Sequence, residues 1–309
     1  MKRVQFDRYG SADAMRVGKY EVRQPKRGQV LVRVKAAAIN PLDWKQRQGA
    51  MRLFMDKQFP KGMGSDFAGV VEAVGEGVDT FHVGDEVLGT MDVKRPGAFA
   101  EALVTASTNL VRKPSQLSFE EAACLPIPCA TAWAAVLLKG QVSSRKRVLI
   151  NGCTGAVGAM AAQLAMAKGA QVAGTCSRTS MERARKAGLD RIFDYADPDS
   201  WSAEGPFDVI FDTAGTLPVG HGLSMLKPRG VFVDINPTPR RLLRGMLTRR
   251  YKLVFATMAL QHLAEIAQLA AQGTLKPTIG LEKPFSDAVE TITAVEHGLR
   301  TLGRVVLTF

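Results

Sequence analysis

A chain of 309 residues with 46% hydrophobic and 23% charged residues has ordinary globular composition and length enough for two cores, which excludes the disordered and fibrous classes. No apolar run reaches the ~18–20 residues of a membrane span, and Lys2 and Arg3 are followed by no apolar stretch of the secretory kind, so a cytoplasmic protein is expected. The formal net charge of +12 admits a phosphorylated ligand, nucleic acid or an anionic membrane surface as partner.

The first hundred residues read as β-rich. Gln29–Ala38 alternates apolar and polar residues, as a half-buried strand does. Residues 69–74 form a second strand ended by Gly75 and Gly77, and residues 83–89 give a turn followed by a short strand. Closely spaced strands with glycine and proline between them predict a barrel-like all-β unit. At Ser118 the pattern changes. Ser118-Phe119-Glu120-Glu121 is a capping box, in which serine and glutamate satisfy each other's amides at a helix start. Strands and helices then alternate: strand Arg147–Asn151, helix 156–168, strand 171–175, helix 180–187, strands Phe207–Asp212 and 231–235, and a helix over 258–272. This rhythm predicts a doubly wound parallel sheet in residues 118–272. One more helix and a final strand, Arg304–Thr308, follow without a further βα unit, so residues 273–309 are expected to rejoin residues 1–117.

Two features of the side chains bear on partners. Cys124, Cys129, Cys153 and Cys176 fit no zinc spacing and read as reduced thiols. Arg240, Arg241, Arg244, Arg249, Arg250 and Lys252 crowd together without an acidic residue among them. Leu242, Leu243, Met246 and Leu247 fall between them at helical spacing, which predicts a short basic amphipathic helix. Such a helix suits peripheral contact with an anionic membrane, electrostatic steering of an anionic ligand, or a solvated edge.

The strongest local signal is Asn151-Gly152-Cys153-Thr154-Gly155-Ala156-Val157-Gly158, between the strand residues Val148, Leu149 and Ile150 and an alanine-rich helix. Gly152, Gly155 and Gly158 allow a tight turn, backbone approach to a pyrophosphate and close helix-to-sheet contact. The amides of Thr154, Ala156 and Val157 then point at the phosphates. Binders of NAD place a carboxylate about twenty residues further on, at the end of the second strand. Here that place holds Cys176-Ser177-Arg178-Thr179. A carboxylate would repel a 2′-phosphate, whereas Arg178 can pair with it and Ser177 can donate to it, so NADPH is the expected cofactor. The turns Thr213-Ala214-Gly215 and Ile235-Asn236-Pro237 are expected to face it across the carboxyl edge of the sheet.

With these residues goes a set of separated motifs: Ala38-Ile39-Asn40-Pro41-Leu42-Asp43-Trp44-Lys45, Gly64-Ser65-Asp66-Phe67-Ala68-Gly69, Val83-Gly84-Asp85-Glu86-Val87, Cys129-Ala130-Thr131-Ala132-Trp133 and Gly303-Arg304-Val305-Val306-Leu307. Over essentially its full length the chain resembles the medium-chain dehydrogenase/reductase superfamily, in its zinc-free quinone oxidoreductase and enone reductase branch. The resemblance implies a GroES-like catalytic domain built from both chain ends around an inserted Rossmann domain, in a homodimer. Zinc alcohol dehydrogenases of the superfamily have Gly-His-Glu where this chain has Gly64-Ser65-Asp66, and cysteine ligands near Asn40 and Ile127. No metal is therefore expected, and His82 and His221 are read as structural.

The resemblance puts Asn40, Asp43 and Lys45 at the mouth of the active cleft. Asn40 would donate its amide to a substrate carbonyl, Lys45 would supply positive charge or a proton, and Asp43 would orient Lys45 or the loop. It also places Thr131 beside the nicotinamide and Tyr195 against the 2′-phosphate. The implied activity is hydride transfer from NADPH to an electron-poor C=C conjugated to a carbonyl, or to a quinone. An enoyl-thioester reductase is the enzymatic alternative. A member of the fold that binds RNA or protein is the alternative of another class, and an aromatic content of 7% argues against RNA.

Overall fold

The computed structural model describes all 309 residues, apart from the side chains of Asp199 and Met246. The chain forms two compact units: Met1–Ile127 with Leu263–Ala271 and Pro277–Phe309, and Pro128–His262 with Gln272–Lys276.

The first unit is built on Gln29–Ala38. Val30, Val32 and Val34 are buried while Lys35 is exposed, so the alternation in the sequence becomes the two faces of a strand. That strand pairs antiparallel with Asp66–Val74, Ala102–Ala106 and Arg304–Thr308. Strands Glu86–Thr90 and Leu110–Arg112 extend the sheet on one side, and Ile279–Pro284 closes the other, parallel to Arg304–Thr308. A smaller sheet of Met15–Lys19, Lys2–Phe6 and Lys61–Gly62 shares its core, in which Phe6, Met63, Phe67 and Phe99 are fully enclosed. The last two turns of the helix predicted over 258–272 are Leu263–Ala271, which packs on Leu110–Arg112 in this unit. Its expected start is instead two short 3-10 turns, Ala256–Met258 and Leu260–His262.

The second unit carries six parallel strands in the order Arg191–Asp194, Gln171–Cys176, Arg147–Asn151, Phe207–Asp212, Leu226–Asp234, Tyr251–Leu253. This is the order of a Rossmann sheet, and it reverses direction between Arg147–Asn151 and Phe207–Asp212. Leu149, Ile150, Ile210, Phe211, Phe232 and Val233 are buried, as strands covered on both faces require. Ala156–Ala167 lies close to the sheet because its inner face is small: Gly158, Ala161, Ala162 and Ala165 are all buried. The sequence does not announce the outer strands Arg191–Asp194 and Tyr251–Leu253, whose half-buried residues lack a strong pattern. Ser118 caps its helix as predicted, with its hydroxyl accepting from the Glu121 amide at 3.1 Å and its own amide donating to Glu121 Oε2 at 2.9 Å. Among the described residues no helix is long and apolar enough to cross a membrane.

Candidate functional site

The glycine turn sits at the sheet's reversal. The amides of Gly152 and Cys153 donate to the Thr175 carbonyl at 3.1 and 3.0 Å, which ties the turn to the neighbouring strand. Gly152 has φ +86°, where a side chain is strained, and a Cβ there would lie 2.7 Å from Thr213 Oγ1. A Cβ at Gly158 would fall 2.1 Å from the Gly152 carbonyl oxygen, so the helix can only enter this close to the turn without one. Gly155, the N-cap residue, is exposed, and its Cβ would meet nothing nearer than 3.4 Å. The leading amides of this helix, at Ala156, Val157 and Gly158, have no intrahelical acceptor. Turn and helix end thus form a cradle with the shape and polarity for a pyrophosphate.

The carboxyl ends of the strands surround that cradle. Thr213 Oγ1 donates to the Asn151 carbonyl at 2.7 Å, and Asn236 Nδ2 donates to the Thr213 carbonyl at 3.1 Å, with Ala214 between them in sequence against Gly152. Thr131 is buried in the helix Pro126–Trp133. Below this rim a network holds the strand ends together. Arg241 places Nε 2.6 Å from Asp234 Oδ2 and Nη2 2.6 Å from Asp212 Oδ2, while Nη1 donates to the carbonyls of Gly215 and Leu217. Both carboxylates are fully buried. Asp212 also accepts from Asn151 Nδ2, and Asp234 from the Tyr251 hydroxyl, each at 2.7 Å.

This network takes up part of the basic stretch of residues 240–252. The predicted helix is present as Pro239–Met246, and Arg240 and Arg244 are exposed on it, but not every basic residue of the stretch faces solvent. Arg241 turns inward to the two aspartates, and Arg250 donates to the carbonyls of Gly230 and Lys227. Leu243 and Leu247 are exposed, beside Arg240, Arg244 and Arg249.

At the end of Gln171–Cys176 the Ser177 hydroxyl lies 3.0 Å from both Thr179 Oγ1 and Ser180 Oγ. Arg178 is 84% exposed, and its Nε donates to Asp194 Oδ2 at 2.8 Å. The Ala196 amide and then Arg178 hold the Asp194 carboxyl below its ordinary range. Tyr195 is more than half exposed, and its amide donates to the Cys176 carbonyl. Asp194 escapes a reading based on spacing because it ends the third strand, beside Cys176 in register but far from it in sequence.

The first unit holds a second cluster. Asn40, Ser65 and Ile127, the three positions where zinc relatives were expected to have ligands, come together around two buried carboxylates. Asp66 accepts from Asn40 Nδ2 at 3.0 Å and from the Ile127 amide at 3.1 Å. Asp43 accepts from the Asn40 amide and from Ser65 Oγ, each at 2.7 Å. Arg304 donates to Asn40 Oδ1 at 3.0 Å and stands 3.9 Å from Asp66. Burial, with Asp66 nearby, pushes the Asp43 carboxyl up to about 7; burial pushes Asp66 up to about 6 against the pull of Arg304 and Asn40. Burial likewise pushes the Cys124 thiol up to about 11, so it stays protonated beside Arg304. Among the described residues no group of three or more His, Cys, Asp or Glu could hold a metal ion.

These contacts change the role expected of Asn40. Asn40 Nδ2 donates to Asp66 and the Ala38 carbonyl, and its Oδ1 accepts from Arg304, so the side chain is a buried organiser of the loop, not a donor open to a substrate carbonyl. Asp43 fixes the start of the helix Pro41–Arg47 through the Asn40 amide and does not touch Lys45. Lys45 is exposed on that helix, and its ammonium has no partner among the described residues. Asp66 and Arg304 both stand in the quoted motifs, but nothing local to either shows that they meet.

Comparison with known proteins agrees with the two-part fold. Residues 26–115 match the alcohol dehydrogenase GroES-like domain, and residues 187–307 match the zinc-binding dehydrogenase family. The chain is 29% identical to the chloroplastic quinone-oxidoreductase QR1 of Triphysaria versicolor, over 99% of this chain and 98% of that one. It is 32% identical to the 2-methylene-furan-3-one reductase of Solanum lycopersicum, over 99% of this chain and 79% of that one. The solved quinone oxidoreductase of Coxiella burnetii superposes with a TM-score of 0.91 at 29% identity, covering 100% of this chain and 99% of that one.

Proposed function

We propose that this chain, which belongs to the medium-chain dehydrogenase/reductase superfamily and is an oxidoreductase of the quinone oxidoreductase type, is an NADPH-dependent, zinc-independent reductase of electron-poor alkenes conjugated to a carbonyl, or of quinones. The observation that carries the reading is the cradle formed by Gly152, Gly155 and Gly158 at the sheet's reversal, with hydroxyls and arginines in place of a carboxylate at the end of Gln171–Cys176. When bound, NADPH supplies a hydride from its nicotinamide ring.

The chain's own residues do the rest. The turn and the amides of the following helix take the pyrophosphate, and the hydroxyl of Ser177 faces a 2′-phosphate. Lys45, exposed and without a partner among the described residues, is a cation available to a developing enolate oxygen, and it or water gives the proton at the α-carbon. Asp43 is a positioning residue that keeps the first turn of that helix in place. Asn40, Ser65 and Ile127 bind carboxylates where zinc relatives bind metal, which supports chemistry without it. The name of the tomato relative, a reductase of an exocyclic alkene beside a ketone, supports conjugated alkenes as the substrate class. As macromolecular partner we take a second copy of the chain.

The test is NADPH oxidation with a panel of enones, quinones and enoyl thioesters, repeated with NADH and after exhaustive chelation. Turnover is expected with enones, faster with NADPH, and unchanged by chelation. Cofactor binding without turnover on any member would instead support a binding protein. Stoichiometric zinc whose removal abolishes activity would refute the metal-free reading.

A further inference from the structure

The nucleotide-binding unit holds another arginine beside the phosphate turn. Arg183 lies in the helix Met181–Lys186 and is half-buried. Its Nη2 reaches back to the Thr154 carbonyl at 3.3 Å and to Ser180 Oγ at 3.4 Å. Ser180 Oγ in turn lies 3.0 Å from Ser177 Oγ, so two hydroxyls and a guanidinium form one continuous donor face between the turn and the end of Gln171–Cys176. Among the described residues Arg183 makes no ion pair, and its Nε and Nη1 have no hydrogen-bond partner. A guanidinium held by two long contacts to neutral oxygens, with its charge uncompensated, is poised for an anion. Arg178 differs on each count: it is 84% exposed and already paired with Asp194 at 2.8 Å. An incoming dianion gains little from a cation whose charge a carboxylate cancels.

We infer that Arg183, with the hydroxyls of Ser177 and Ser180, is the principal seat of the adenosine 2′-phosphate, and that Arg178 is secondary to it. A phosphate monoester carries about −1.5 to −2 charge at pH 7 and three acceptor oxygens, which matches a guanidinium fork flanked by hydroxyls. The inference rests on the NADPH reading above and assigns the group responsible for it.

Equilibrium binding to the full chain, by calorimetry or nucleotide fluorescence, separates the two. The probes are NADPH, NADH, 2′,5′-ADP and 5′-AMP, with the unmutated chain, Arg183→Ala, Arg183→Lys and Arg178→Ala. Arg183→Ala is expected to weaken NADPH and 2′,5′-ADP by about 10- to 100-fold while leaving NADH and 5′-AMP unchanged. Arg183→Lys should recover part of the loss, and Arg178→Ala should lose less than Arg183→Ala. Equal weakening of NADPH and NADH by both Arg183 variants would overturn the inference, since the guanidinium would then serve the shared pyrophosphate or the fold. An Arg178→Ala loss as large as that of Arg183→Ala would overturn it too. A preference for NADPH that survives Arg183→Ala refutes the inference alone, whereas equal affinity of the unmutated chain for NADPH and NADH refutes the cofactor reading beneath it.

Discussion

Replacing Arg241 by methionine would leave the fully buried carboxylates of Asp212 and Asp234 without the guanidinium that stands 2.6 Å from each. Removing one partner of a buried ion pair costs about 3–5 kcal/mol, because the remaining charge loses compensation without regaining water. The lower end applies here. Asp212 keeps Asn151 Nδ2 and the amides of Gly215 and Leu217, and Asp234 keeps the Tyr251 hydroxyl and the Asn236 amide. A loss of about 3 kcal/mol, at a urea dependence of about 2 kcal/mol per molar, lowers the unfolding midpoint by about 1.5 M. Tryptophan fluorescence reads it, since Trp133 and Trp201 are both buried in the nucleotide-binding unit. Arg240→Ala and Arg244→Ala, on the exposed side of the same helix, should stay within about 0.5 kcal/mol of the unmutated chain. Arg241→Lys should not rescue, because one ammonium cannot reproduce a fork that spans two carboxylates and two carbonyls. If Arg241→Met unfolds with Arg240→Ala, within the same band, the reasoning fails.

The carboxyl of Asp43, raised by burial to about 7, favours the protonated form in the folded chain, so its contribution to stability is lost as pH rises from about 4 toward 7. Asp43→Asn keeps the shape and can still accept from the Asn40 amide, so its stability should fall less over that window; a slope equal to the unmutated chain's would show that Asp43 does not titrate there. In the phosphate turn, Gly158→Ala should abolish dinucleotide binding, because the new Cβ lands 2.1 Å from the Gly152 carbonyl oxygen. Gly155→Ala, whose Cβ meets that oxygen at 3.4 Å, should keep most of the affinity, and calorimetry that ranks the two the other way would discard the cradle geometry.

How much of this was legible in the sequence follows the range of each interaction. The Ser118 capping box and the glycine turn were readable because every atom involved lies within a few residues, and the capping distances agree. Arg241 was not readable. A helical pattern gives the face a residue occupies, but it cannot show that strands ending in Asp212 and Asp234 lie side by side under that helix. Asn40 failed for the same reason: its spacing marks a loop near a site, while its partners Asp66 and Arg304 stand 26 and 264 positions away. The helix expected over 258–272 begins only at Leu263, because apolar periodicity continues through residues that fold as 3-10 turns.

The insertion of Arg304–Thr308 between Ile279–Pro284 and Gln29–Ala38 sets a timetable for biosynthesis. A ribosome adding ~5–20 residues per second takes tens of seconds to pass from Asn40 to Arg304, 264 positions later. All six strands of the nucleotide-binding sheet emerge within that interval, so this unit can fold while the edge of Gln29–Ala38 is still unpaired at Ala36–Ala38 and Asp66 still lacks its guanidinium. During the wait that short edge at Ala36–Ala38 is the surface a chaperone would need to guard.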